Sequence, residues 1–397
     1  MVSSFSFPSF AVTKYTPQQG FLLRKLRPFS SQRRDADIAL LFKVQTENKI
    51  FSALKSSDPQ SSYNLDKPLL RHTSSIRKLS PPAATTSEHE NVPLSSLSKA
   101  IDIFFRFIRP YAIVCTMFGI MSVSLLPVET LADLTPKFFL GLGKAMIAVV
   151  SMNLFSVSVN QFYDVELDKV NKPYLPLASG ELSMEAGAAF VILASSMGIS
   201  FGLMLQSPPL LCTILTFFLF GGAYSIDLPF LRWKKHPVLA VVCITAMRGL
   251  ALQLGVFFHI QKYVLGKPMA LTRSVVFVTI FMCVFNIAIS LIKDLPDVDG
   301  DKAHGFQNMT IRFGKEKVFW GCTSLMLATY GAAVAMGFSS PFLATKLITV
   351  IAHSALGLFV LLRARSIKLD DDESTQSYYL LLWDLCKIEY LLAPFVR

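Results

Sequence analysis

The run Asn160-Gln161-Phe162-Tyr163-Asp164-Val165-Glu166-Leu167-Asp168-Lys169-Val170-Asn171-Lys172-Pro173 closes an apolar stretch that begins near residue 138. Asn160, Asp164 and Asp168 recur at every fourth position. On a helix each such step is about 40° round and 6 Å along the axis, which stacks an amide and two carboxylates on one face. Carboxylates beside an apolar run are costly unless they have a task. The bland alternative is a solvated helix end.

Working outward from this run, the chain alternates long apolar segments with short polar ones. A bilayer core about 30 Å thick needs roughly 20 apolar residues in a helix. Nine such runs follow residue 100, near 110–128, 138–163, 186–206, 208–226, 237–258, 274–293, 318–338, 342–362 and 377–395. The last is weakened by Asp384, Lys387 and Glu389, so eight spans remain possible. The expected fold is all-α and integral to a membrane, with nine transmembrane helices around a central cavity and two four-helix halves as a pseudo-repeat. Composition agrees: 52% of the 397 residues are hydrophobic and 16% charged, against about 25% charged in a soluble domain.

With nine spans, the loops on the amino-terminal side hold thirteen Lys and Arg and the opposite loops five, as the positive-inside rule requires. Both acidic runs then open on one face. The formal charge of +11 is concentrated early: residues 1–87 hold 13 Lys and Arg against 5 Asp and Glu, leaving 25 against 22 for the rest. A nucleic-acid-binding body is therefore excluded. Residues 1–87, rich in Ser and Arg, are expected to be a disordered plastid transit peptide. Residues 88–109 read as a linker and amphipathic lead-in, and 110–397 as the membrane domain. In a plastid the face bearing the acidic runs is the stromal one. The six cysteines show no paired spacing and read as small apolar side chains.

A second acidic run, Lys293-Asp294-Leu295-Pro296-Asp297-Val298-Asp299-Gly300-Asp301-Lys302, ends the sixth apolar stretch. Asp294, Asp297 and Asp301 fall at i, i+3 and i+7, and Pro296 should break the helix there. Four helices separate the runs, so a duplication would bring both to one cavity. Two facing acidic clusters repel unless cations lie between them. Mg²⁺ takes one or two carboxylates and completes its octahedron with water and phosphate oxygens, and a ligand that needs metal on both sides is a diphosphate. The metal set is then Asn160, Asp164, Asp168, Asp294, Asp297 and Asp301, its five aspartates being the candidate catalytic residues.

Arg232, Lys234 and Lys235 in the loop after the fourth span could hold phosphate oxygens free of metal. Arg248, halfway along the fifth span, should face a cavity or a partner; it reads equally as a phosphate ligand or as paired with an acid. Lys172 and Lys293, from the acidic runs themselves, join the diphosphate-binding set. The Phe, Leu, Met and Ile walls suit an isoprenoid tail, and aromatic faces would stabilise an allylic cation.

Asn160-Gln161-x-x-Asp164-x-x-x-Asp168 with Lys172-Pro173-Tyr174-Leu175-Pro176-Leu177-Ala178-Ser179-Gly180, together with Lys293-Asp294-x-x-Asp297-x-x-Gly300-Asp301, resembles the plant plastid branch of the UbiA aromatic prenyltransferases. The likeness covers roughly residues 100–397. It implies a ring of nine helices with a lipid-accessible cavity under polar cap loops, Mg²⁺ as cofactor, and a prenyl diphosphate and an aromatic phenol as substrates. The family's diphosphate-binding Tyr and Lys are best matched by Tyr224 and Lys234, although the spacing departs from the family's. His304 is a speculative helper in the final deprotonation. Divergent stretches such as Phe306 to Arg312 and Asp370 to Glu373 lean towards a flavonoid or coumarin acceptor with dimethylallyl or geranyl diphosphate. Homogentisate with phytyl diphosphate is the runner-up. A cation-coupled membrane transporter is the alternative of another class.

Overall fold

The structure, a computed structural model, describes residues 94–396; the expected transit peptide lies outside the described residues. Twelve helices carry the architecture: α1 (Leu94–Ile108), α2 (Pro110–Leu125), α3 (Pro136–Tyr163), α4 (Val165–Asn171), α5 (Met184–Met204), α6 (Pro208–Ser225), α7 (Pro237–Val264), α8 (Arg273–Ile292), α9 (Val298–Ala303), α10 (Lys315–Phe338), α11 (Leu343–Arg365) and α12 (Asp372–Leu392). Each expected apolar run became a helix. Proline opens four of them, at Pro110, Pro136, Pro208 and Pro237, where its missing N–H costs nothing. Thr135, Ser183 and Thr272 cap α3, α5 and α8 by accepting from the backbone N–H three residues on.

Pairwise packing closes a ring. It runs α2, α3, α6, α7, α8, α10, α11 and α12, and α12 returns to α2; α5 packs outside the seam between α3 and α6. Among the described residues seven helices are long and apolar enough to cross a membrane, or eight if α1 and α2, bent by 64°, form one broken span. By length and composition the count thus stops short of the expected nine. The helix that falls short is α12, which closes the ring but carries the Asp384–Lys387 pair at 2.6 Å and buries Glu389 against His353 at 3.2 Å.

α7 is not a uniform α-helix: Thr245–Ala251 and His259–Val264 are π-helical. The first of these holds Gly249, where an added Cβ would lie 2.9 Å from the Cα of Cys283. α7 and α8 thus touch backbone to backbone at this level. A side chain there would push them apart.

Candidate active site

α3 and α8 end at corresponding levels, and a short helix follows each. α3 stops at Tyr163 because Asp164 takes φ −108° and ψ 10°, outside the helical region, and serves at once as the end of α3 and the start of α4. The expected single helix through Asn160, Asp164 and Asp168 is therefore broken at its central member. The three side chains nevertheless stay together on the cavity wall, and Asn160 Nδ2 donates to Asp164 Oδ2 at 2.7 Å. In the second run Pro296 does break the chain, and Asp297 starts α9. The two runs then meet: α4 packs on α9, Lys172 pairs with Asp297, and Asn171 Nδ2 donates to Asp301 Oδ1 at 3.2 Å across 130 residues of chain.

Asn160 and all five aspartates line one cavity of about 1330 Å³, its open mouth included. The carboxylates are 4–8% exposed and each is held. Lys234 and Arg232 contact Asp164, the latter at 3.4 Å; Arg109 lies 3.8 Å from Asp168; Lys293 lies 2.7 Å from Asp294. Asp301 has amides instead, accepting from Asn308 Nδ2 at 2.7 Å as well as from Asn171. Among the described residues no three His, Cys, Asp or Glu side chains already converge as a metal cage.

Burial pushes the Asp301 carboxyl up to about 6, with Asp294 and Asp297 adding to the shift and Lys293 opposing it. Burial also raises Asp168, against the pull of Arg109 and Lys172. Lys234 is lowered by burial despite Asp164 beside it. For Lys172 the order is reversed: burial lowers it, but Asp297 and Asp168 more than offset this and it ends above its usual value. These are the displacements expected where like and unlike charges are packed away from water.

The loop between α6 and α7 is held in strained backbone. Phe230 and Arg232 adopt positive φ of 68° and 59°, which non-glycine residues seldom do. The strain turns Arg232 back onto Asp227 and Asp164, and the next turn buries Lys234 over the Phe306 ring at 5.3 Å. Tyr224 lines the cavity beside Lys293.

Arg248 lies elsewhere. It lines the same cavity but donates to Asn153 and Thr116. Asn153 precedes Asn160 by seven residues on α3, about 10 Å deeper along the axis. His304 is exposed, with Nδ1 2.9 Å from the carbonyl oxygen of Gly300, and is absent from the cavity wall. Lys235 is exposed too. Sequence reasoning missed Arg109, Asn171 and Asn308 as cap residues, and Tyr111, Tyr379 and Trp383 as wall residues. Only Arg109-Pro110, a cation at a helix break, gave a signal.

Residues 112–385 match the UbiA prenyltransferase family. The chain is 45% identical over 301 residues to coumarin 8-geranyltransferase 1, chloroplastic, of Citrus limon, covering 76% of this chain and 74% of that one. It is 39% identical over 355 residues to homogentisate phytyltransferase 1, chloroplastic, of Arabidopsis thaliana, covering 89% and 90%. A UbiA homolog from Archaeoglobus fulgidus, solved bound to GPP and Mg²⁺, shares the fold with a TM-score of 0.51 at 17% identity, over 74% of this chain and 98% of that one. Ring, paired acidic runs and sequence agree: this chain belongs to the UbiA prenyltransferase family and is a membrane prenyltransferase.

Proposed function

We propose that this prenyltransferase uses Mg²⁺ to transfer a dimethylallyl or geranyl group from its diphosphate to a ring carbon of a phenolic acceptor of the flavonoid or coumarin type. One observation carries the reading: two acidic runs far apart in sequence share one cavity whose deeper wall is apolar and aromatic. Its donor set fits the ion, since buried carboxylate and amide oxygens are the hard ligands Mg²⁺ takes. Asn160, Asp164 and Asp168 would hold one metal and Asp294, Asp297 and Asp301 the other. Bound there, the metal supplies Lewis acidity to the leaving diphosphate.

The chain's own groups do the rest. Lys172, Arg232, Lys234 and Lys293 exchange their carboxylate partners for phosphate oxygens and stabilise the charge that grows as the carbon–oxygen bond breaks. Tyr224 and Arg109 flank that charge. The aromatic wall stabilises the allylic cation and holds the phenol so that one ring carbon faces it. The new carbon–carbon bond forms, and the ring proton passes to an oxygen of the departing diphosphate.

A coumarin geranyltransferase among the relatives supports this acceptor class. A second reading, phytyl transfer to homogentisate, is favoured by a relative that aligns over 89% of the chain. Because both relatives are named chloroplastic, we place the protein in a plastid membrane with its cap loops in the stroma. The cation-coupled transporter reading finds no support in a family of prenyltransferases. The test is a microsomal assay with Mg²⁺, diphosphates from five to twenty carbons, and homogentisate beside flavonoids and coumarins. Asp164→Ala and Asp294→Ala should each lower transfer by about 10²-fold or more while inserting normally. Full activity in both variants would overturn the metal roles, and product from homogentisate alone would select the second reading.

A further inference from the structure

Every other charged side chain on the cavity wall has a partner of opposite sign or, for Asp301, two amides. Arg248 has none. It appears in no ion pair among the described residues. Its guanidinium donates to two neutral oxygens, Thr116 Oγ1 at 3.2 Å and Asn153 Oδ1, and lies 5.1 Å from the centre of the Trp383 ring. Asn153 is fully buried, and its amide nitrogen is spent on Thr116 at 2.9 Å, which fixes its oxygen towards the arginine. A cation at this depth is expensive unless an anion joins it, and this one sits on the wall of an open cavity.

Its placement is built. Arg248 occupies the π-helical segment Thr245–Ala251, a geometry that recurs at functional sites, and neighbouring Gly249 clamps that segment against α8. Gln253 ties the Arg248 carbonyl to Tyr390. The Trp383 ring faces the guanidinium, and Tyr111 and Tyr379 pack against Trp383 with ring centroids 5.5 and 6.2 Å away, a flat aromatic wall suited to an aromatic ring.

We infer that Arg248 anchors the aromatic acceptor by an anionic oxygen, a phenolate or a carboxylate, about two helical turns below the diphosphate cap. The inference rests on the prenyltransfer reading and deepens it. A phenolate held there enriches the ring carbons beside and opposite it, whereas a carboxylate held there fixes only the ring's position. In either case one ring carbon bonds to the allylic carbon as the electron pair of the breaking carbon–oxygen bond leaves on the diphosphate, and the displaced ring proton passes to a diphosphate oxygen. Arg248 thereby selects acidic acceptors and fixes which ring position meets the donor. It leaves the diphosphate to the cap.

The experiment compares wild type with Arg248→Met, Arg248→Lys and Asn153→Asp. The last supplies the arginine with an internal carboxylate, neutralising it in place. Binding of homogentisate and of a hydroxyflavanone to membranes is measured without donor, alongside KM for each substrate and the same measurements with their O-methyl ethers, the carboxyl of homogentisate being methylated as well. Arg248→Met and Asn153→Asp should weaken acceptor binding about tenfold or more, as loss of a charged hydrogen bond does. Donor KM should stay within about twofold. Arg248→Lys should recover part of the affinity, and the ethers should bind all four proteins alike. Stronger loss with homogentisate than with the flavanone identifies the carboxylate as the anchored group; the reverse identifies the phenolate. A raised donor KM, or equal loss for ethers and free acids, overturns the anchor. Wild-type acceptor binding with no prenyl transfer to any phenol would instead overturn the proposed function alone.

Discussion

Asp301 stands apart from the other four aspartates because amides, rather than cations, hold it. Burial lifts it to about 6. A carboxyl raised in this way favours the folded state while it keeps its proton, and the contribution is lost as pH rises through that value. A divalent ion must expel the same proton. The Mg²⁺ concentration needed for half-maximal rate should therefore be flat above about pH 7 and rise as pH falls through about 6, approaching tenfold per unit. Titrations of Mg²⁺ at several pH values check this; an unchanged requirement at pH 5.5, about half a unit below, would rule it out. The aspartates were legible in the sequence because helical spacing and an apolar flank make carboxylates conspicuous. Arg109 and Asn308 were not, since their partners Asn160 and Asp301 are set by how loops fold back.

At the scale of elements, α4 and α9 are pressed together at Gly300. A Cβ there would lie 1.7 Å from Asn171 Oδ1, so any larger residue forces the Asn171 side chain off Asp301. Gly300→Ala should cost roughly 1 kcal/mol from the broken hydrogen bond, read as about a fivefold fall in transfer rate. Asn171→Ala should cost a similar amount, and the double variant should be no worse than Asn171→Ala alone, because both changes remove one contact. Additive losses measured in that cycle would exclude the shared cause. The break at Pro296 was readable from sequence, since proline cannot continue a helix. The break at Asp164 was not: no proline or glycine marks it, and it arises where the residue meets Lys234 and Arg232 from another loop. The π-turns of α7 were equally hidden within a continuous apolar run.

For the whole molecule, the nine apolar runs sufficed to foresee a closed helical ring, while among the described residues the helices long and apolar enough to cross came out at seven, or eight with the bent pair. Hydropathy finds elements but does not judge α12, where one oxygen of Glu389 pairs with His353 inside the bundle. Sidedness can be measured directly. His304 lies at the cap, whereas Lys267 lies in the loop between α7 and α8, where it pairs with Asp133 at 2.9 Å. In sealed vesicles, His304→Cys and Lys267→Cys should label from opposite sides with an impermeant thiol reagent. Labelling of both from one side would contradict the orientation drawn from the loop charges.

The lysine–aspartate contacts of the cap have one last consequence. Asp164, Asp294 and Asp297 each rest against an ammonium group of Lys234, Lys293 or Lys172. A bare divalent ion would strand the ammonium groups, and a bare anion would strand the carboxylates. Only a ligand arriving as both at once satisfies the two sets together. Under the proposed chemistry, the resting cap is thus a coincidence detector that stays shut to either half of its cargo and re-latches itself as the spent salt departs.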